Sequence, residues 1–140
     1  MFAEREEKIM SFVRDNFSNY MGEDFDVYVN DYINIDAYKY DATLFFNFGS
    51  YSITPLTNES GAGAFSFDVY MVFQNAKSEV LKNRMTSFAD AFFQMFKKSG
   101  FNFGGATDGT MEIEIYFFNA AESNPNVKVC QMTFSTISEM

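Results

Sequence analysis

One stretch decides the fold of this chain: residues 65–96, FSFDVYMVFQNAKSEVLKNRMTSFADAFFQMF. Its first part alternates apolar and polar residues, which is typical of a strand with one buried side. Its second part repeats apolar residues every three or four positions, which indicates one stripe of a helix. The strand side comprises Phe65, Phe67, Val69, Met71 and Phe73, and the helix stripe comprises Leu81, Met85, Phe88, Phe92 and Met95. We expect these two apolar surfaces to bury each other.

Weaker patterns on both sides of this unit predict the other elements. Apolar residues at helical spacing indicate a helix over residues 3–20, and alternation indicates strands elsewhere. The strands are expected near residues 25–30, 42–48 (with continuation to Ile53 left open), 111–118 and 127–136. The predicted order is therefore α-β-β-β-α-β-β. We expect a single α+β domain over residues 1–140, with a mostly antiparallel sheet of about four or five strands and the long helix packed on one face.

Residues 54–64 are predicted to form the longest loop. Pro55 would interrupt a strand ladder, and Gly61 and Gly63 weaken regular structure. The composition of this segment offers little apolar surface to offset the entropy of ordering it. We therefore expect the loop to be mobile in the free subunit and to become ordered by contact with a partner.

Turn and capping residues predict where other elements end. Asn75 is expected to cap the start of the long helix, because its side-chain oxygen can accept a free amide of the first turn. Gly100 suits the left-handed position that follows a helix. Residues 119–126, which are polar and include Pro125, are expected to form the turn before the last strand.

The composition excludes several classes of function. The chain has 140 residues, a formal net charge of −9 and no His, so His-based catalytic and metal sites are excluded. No metal-ligand, phosphate-loop or dinucleotide pattern is present, and we expect no catalytic residue, metal or cofactor. The ten basic residues are scattered, which argues against binding to nucleic acid or to an anionic membrane. Cys130 lies in an apolar strand and is expected to be a buried structural residue.

Two sets of side chains are candidates for surface roles. The chain has 19 Phe and 8 Tyr, and we expect some of these rings to lie on a surface that a partner buries. Phe45 is one candidate, because it falls on the polar side of its strand. Glu112 and Glu114 share one side of a strand, where they could act as a carboxylate pair, as charges that protect a sheet edge, or as part of a solvated face.

Residues 54–78, which run from a polar loop through the strand FSFDVYMVF into a helix start, carry a family resemblance. With the helix 79–98 and the two closing strands, this arrangement resembles the tail terminator and tail completion proteins of long-tailed bacteriophages. The resemblance implies a non-enzymatic ring, usually a hexamer, that caps the tail tube and joins it to the head. It implies as partners other copies of the chain, tail-tube proteins, head–tail connector proteins and DNA that passes without specific binding. It also implies location in the virion tail, and in the host cytoplasm during assembly.

This resemblance sets expectations for individual residues. The assembly interface is expected to include Phe45, Thr57, Asn58, Glu59, Ser60, Gly61 and Gly63. Glu112 and Glu114 are expected to contribute negative charge to the channel, which would keep DNA from adhering.

Two other functions remain open from the residues alone. A curved sheet wrapped on a helix could enclose an apolar cavity and bind a small apolar ligand, which the Phe and Met content would suit. An enzyme would have to rely on carboxylates, Lys or Tyr for acid–base chemistry.

Overall fold

The structure, a computed structural model, describes residues 2–21, 27–29, 43–58, 60–74, 78–107, 110–121 and 124–139. Its elements in chain order are α1 (Phe2–Met21), β1 (Val27–Val29), β2 (Thr43–Pro55), β3 (Gly61–Gln74), α2 (Ser78–Lys98), β4 (Glu112–Ala121) and β5 (Asn124–Glu139). The strands form one sheet in the order β1-β2-β3-β5-β4. β1 runs parallel to β2, and the other neighbouring strands are antiparallel. The α+β class is therefore confirmed, with four antiparallel strands and two helices.

The alternation of β3 is confirmed by its burial. Phe65, Phe67, Val69, Met71 and Phe73 are all buried on the side that faces the helices, which we call the inner face of the sheet. β3 lies between β2 and β5, so its backbone is paired along both edges. The cross-strand partner of Phe67 is Phe134 of β5, and their rings stack with centroids 5.0 Å apart. Cross-strand pairs of this kind stabilise the sheet through side-chain contacts, in addition to the hydrogen bonds between the backbones.

The apolar stripe of α2 is also buried as expected. Leu81, Met85, Phe88, Phe92 and Met95 all lie in the main core, and α2 packs against β3 and β5. α1 packs against α2 and adds Ile9, Val13 and Phe17 to the same core. The main core thus consists of residues from both helices and from the inner face of the sheet.

The C-terminal end of α2 has the cap that Gly100 predicted. Gly100 has φ = 81°, its N–H bonds to the carbonyl of Lys97, and the N–H of Phe101 bonds to the carbonyl of Phe96. These two bonds form a Schellman motif, which satisfies carbonyls that the helix leaves free. The predicted cap at the other end, Asn75, lies outside the described residues.

The chain after α2 makes a contact that the sequence patterns did not predict. Phe103 has φ = 54°, although it is not glycine, and its side chain is buried in the main core. Its ring lies near those of Phe96 and Phe134, with centroids 5.0 and 5.1 Å apart. The turn is held by the side chains of Ser99 and Asn102, which accept the N–H groups of Phe103 and Gly105.

The predicted loop over residues 54–64 is wrong for most of its length. β2 continues to Pro55 and β3 begins at Gly61, and the ladder pairs Thr54 with Ala62 and Ile53 with Gly63. A side chain at Gly61 would bring a Cβ within 3.1 Å of the Thr54 carbonyl oxygen. Glycine therefore permits close approach of the two backbones, rather than breaking the strand.

The predicted turn over residues 119–126 is also wrong. β4 continues to Ala121, β5 begins at Asn124, and these two residues pair with each other. The hairpin connection is therefore much shorter than the polar composition suggested. In β5, the structure also resolves which side is buried: Cys130, Met132 and Phe134 face the core.

Candidate interaction surfaces

The face of the sheet opposite the helices, here called the outer face, carries a row of polar residues across four strands. The strand registers place Asn47, Asp68, Thr133 and Glu114 side by side in this row. The Thr133 hydroxyl donates a hydrogen bond of 2.6 Å to a carboxylate oxygen of Asp68. Because the acceptor is charged, this is among the stronger classes of side-chain hydrogen bond, and it fixes the position of the Asp68 carboxylate.

Glu112 and Glu114 both lie on the outer face of β4, and both side chains are exposed. Glu114 accepts a hydrogen bond of 2.6 Å from the Tyr116 hydroxyl. This bond, together with the negative charge of Glu114, raises the pKa of Tyr116. Within the strand segments that the structure describes, the strand registers place no Lys or Arg on the outer face, which carries the carboxylates of Asp68, Glu112 and Glu114.

The other end of the outer face is apolar. Phe45, Val72 and Val129 form a second, small cluster, against which Tyr70 packs. Phe45 is only 5% exposed, so its side chain is already enclosed within the subunit. The assembly role expected of Phe45 stays a prediction, and it would require a partner to reach a side chain that is mostly covered.

The tip of the β2–β3 hairpin contains most of the other residues expected at an interface. Thr57 and Asn58 are exposed, and the Thr57 hydroxyl accepts a hydrogen bond of 3.0 Å from the Ser60 N–H. The N–H of Leu56 donates to the carbonyl of Ser60 at 2.9 Å, so the described part of the tip has internal order. Glu59 lies outside the described residues.

The structure does not bring all of the predicted interface residues together. Gly61 and Gly63 are buried positions within β3, close to the tip, whereas Phe45 lies toward the other end of β2. Sequence reasoning also missed Leu56, which is 64% exposed at the tip. The available signal was that Leu56 falls within the segment predicted to be a loop, since loops run over the protein surface.

The strand β4 has an exposed apolar segment that sequence reasoning placed partly in the core. Met111, Ile113, Ile115 and Phe117 occupy alternate positions, a pattern typical of a strand with one buried side, but Ile115 and Phe117 are 37% and 47% exposed. Tyr116 and Phe118, on the outer face, are 50% and 41% exposed. The reason is position: α2 packs on β3 and β5, and β4 lies beyond them at the end of the sheet order.

The space between the sheet and the helices is filled by aromatic rings. Phe92 contacts Phe17 and Phe134 with centroid distances of 5.3 and 5.9 Å, and all three side chains are buried. A groove of about 760 Å³ instead lies on the outside, between α1 and the turn at residues 103–106. Its lining includes Phe12 together with charged residues of α1, Glu4, Glu7, Lys8 and Asp15.

The described residues present few groups suited to catalysis or metal binding. Cys130 is buried, and burial raises the pKa of its thiol to about 12, so the nucleophilic thiolate is disfavoured. Across the described ranges, no three Cys, Asp or Glu side chains are grouped so that they could hold a metal ion. Neither described helix combines the length and apolar character needed to cross a membrane.

Comparisons with known proteins add no family assignment. No protein-family model matches the chain, and no curated protein sequence matches it.

Proposed function

We propose that this chain is a non-enzymatic structural protein of a phage or prophage tail. In this proposal it forms a homo-oligomeric ring, of the hexameric type that the resemblance implies, which caps the tail tube and joins it to the head. The subunits contact one another, tail-tube proteins and head–tail connector proteins. DNA passes through the ring without specific binding.

The observation that carries the proposal is the charge of the outer face. Asp68, Glu112 and Glu114 lie on it, and no basic residue of the described strands faces the same way. A surface of this kind repels the phosphates of DNA instead of releasing their counterions, so it disfavours adhesion. The net charge of −9 acts in the same direction.

The fold supplies the second support. The resemblance to tail terminator and tail completion proteins rests on the element order α-β-β-β-α-β-β, and the α+β fold with α2 packed on the inner face supports it. With α1 and α2 on the inner side, neither described helix covers the outer face, which would be available to line a channel.

Two measurements on the purified chain test the proposal. Sedimentation velocity across a range of concentrations should show a closed higher oligomer, because a ring requires one defined stoichiometry. The wild-type chain should show no binding to duplex DNA at physiological salt. The Glu112→Lys/Glu114→Lys variant should gain DNA binding that weakens as salt increases.

A matched variant controls for net charge. Glu4→Lys/Asp90→Lys makes the same change in charge at two exposed helix positions, away from the outer face. It should gain much less DNA binding than the Glu112→Lys/Glu114→Lys variant. A wild-type chain that stays monomeric at all concentrations would contradict the ring, and salt-sensitive DNA binding by the wild type would contradict the channel.

A module that binds a small apolar ligand is the second candidate, and the groove beside Phe12 is the observation that favours it. A ligand bound there would raise the melting temperature, and the rise would grow with the logarithm of the ligand concentration above Kd. Thermal unfolding with a series of fatty acids and aromatic compounds distinguishes the two functions. Stabilisation of a monomer that Phe12→Ala abolishes would favour the ligand module over the ring.

A further inference from the structure

The strand β4 is an edge of the sheet with no protective feature in its middle. It spans ten residues, and in the part of the chain that the structure describes it pairs only with β5. An edge strand presents backbone N–H and C=O groups that another strand can pair with. Proteins usually block such an edge with Pro, Lys, a bulge or a short strand, and residues 115–118 of β4 contain none of these.

The side chains of the same segment are apolar on both faces of the sheet. Ile115 and Phe117 project on the inner face, and Tyr116 and Phe118 on the outer face, each more than a third exposed. Contiguous exposed apolar residues of this kind mark interaction sites. A small cavity of about 270 Å³, lined by residues that include Met85, Phe117 and Lys128, lies beside the segment and offers room for a partner side chain.

The charges of β4 restrict the chemistry of what can pair there. Glu112 and Glu114 are exposed on the outer face, and the described residues place no Lys or Arg in an ion pair with either. Tyr116 holds the Glu114 carboxylate through its hydroxyl. A basic side chain directly opposite each glutamate in a new strand would be favourable, and an acidic one would be unfavourable. A second copy of this chain, with its net charge of −9, has the less favourable charge.

We infer that the open edge of β4 is a docking site for an extended segment of a partner protein, in which basic residues alternate with apolar ones. The segment adds a strand to the sheet next to β4. Its basic side chains lie opposite Glu112 and Glu114, and its apolar side chains cover Ile115 and Phe117. Backbone pairing supplies affinity, and the alternating side chains supply specificity.

This inference does not rest on the proposed ring. A docked basic segment would neutralise the charges of Glu112 and Glu114. In a subunit with an occupied edge, Asp68 would keep its negative charge on the outer face, and these two glutamates would no longer add to it. The test therefore uses the isolated chain and defined peptides, with no DNA and no assembly readout.

The experiment titrates the isotope-labelled chain with a blocked peptide in which lysine alternates with valine, and follows backbone amide shifts by NMR. Shifts centred on β4 are expected. Two control peptides should bind at least tenfold more weakly: one with glutamate in place of lysine, and one with the lysine–valine sequence N-methylated at alternate residues. The first control tests charge, and the second removes strand pairing while keeping charge and apolar surface.

A variant of the chain completes the test. Glu112→Lys/Glu114→Lys should reverse the preference toward the glutamate–valine peptide, whereas Glu4→Lys/Asp90→Lys should leave it unchanged. The inference is overturned by binding that N-methylation does not weaken, by shifts centred away from β4, or by no shifts up to millimolar peptide. Concentration-dependent dimerisation through β4 without peptide would also overturn it, because the occupant would then be a second copy.

Discussion

The ring of Phe92, in the middle of α2, lies 5.9 Å from the ring of Phe134 in β5, and both side chains are fully buried. Phe92 also contacts Phe17 of α1, with centroids 5.3 Å apart. One side chain therefore joins both helices to the inner face of the sheet. Removal of the ring would leave a cavity between three elements that are each held by their own backbone hydrogen bonds, so the site could collapse only in part.

We expect Phe92→Ala to lower the free energy of unfolding by about 3–5 kcal/mol. Phe93→Ala is the matched control, because Phe93 is the next residue of α2 but is only half-buried, and it should cost clearly less. Urea denaturation of the two variants and the wild type measures the difference. Equal stability of the two variants would show that the Phe92 ring is not a core contact.

Tyr51 is a half-buried aromatic residue whose hydroxyl is buried. Its ring stacks on Phe65 with centroids 4.8 Å apart, but its buried hydroxyl has no hydrogen-bond partner among the described residues. A buried hydroxyl without a partner costs about 1–3 kcal/mol. We therefore expect Tyr51→Phe to leave stability unchanged or to raise it.

The control for Tyr51 is Tyr116→Phe, which removes an exposed hydroxyl that bonds to Glu114. This change should have a small effect on stability, because exposed hydrogen bonds compete with water. Thermal unfolding of both variants gives the comparison. A marked loss of stability in Tyr51→Phe would indicate that its hydroxyl has a partner.

Alanine substitutions at two adjacent glycines, Gly104 and Gly105, distinguish the cost of backbone strain from the cost of steric overlap. Gly104 and Gly105 have φ of 73° and 92°, so alanine at either position would be strained by roughly 1–2 kcal/mol. A Cβ at Gly104 would also lie 3.0 Å from the Phe12 ring, whereas a Cβ at Gly105 would meet nothing within 4 Å. We expect Gly104→Ala to destabilise more than Gly105→Ala by about 1–3 kcal/mol, as for overpacking.

Chemical denaturation of the two alanine variants measures this difference. The double variant Gly104→Ala/Phe12→Ala provides a further check, because removal of the ring should abolish the excess cost of alanine at position 104. An excess cost that persists without the ring would place its origin in the backbone.

The buried thiol of Cys130 predicts a dependence of stability on pH. Burial raises the thiol pKa from 9.0 to about 12, so the folded state retains the proton that the unfolded state loses. Stability from this group is therefore complete below about pH 9 and is lost as pH rises toward 12. The expected loss is about 1.4 kcal/mol for each pH unit in that window.

Other groups also titrate in this window, so the measurement compares the wild type with Cys130→Ala. The variant should show a shallower fall in the free energy of unfolding between pH 9 and 10.5. In a second measurement, an aromatic disulfide reagent at pH 8 should label Cys130 slowly in the native chain and rapidly in urea. Rapid labelling of the native chain would contradict the burial of the thiol.

Features that depend on local periodicity could be predicted from the order of residues alone. The alternation in residues 65–73 predicted which side of β3 is buried, and the stripe from Leu81 to Met95 predicted the buried side of α2. Gly100 predicted the cap, because only a residue that tolerates positive φ suits that position. These features depend on residues that are a few positions apart in the same strand or helix, so the local sequence is enough to predict them.

Only the tertiary structure shows which of the described strands is paired on both sides and which lies at an edge of the sheet. The same alternation describes β3, in the middle of the sheet, and β4, at its edge, yet Phe73 is buried and Phe117 is exposed. It also decided that Gly61 lies in a ladder and that Phe103 enters the core, because both depend on what approaches from distant parts of the chain. Burial is a property of a residue's surroundings, and those surroundings are set by strand order and helix placement, which no local pattern specifies.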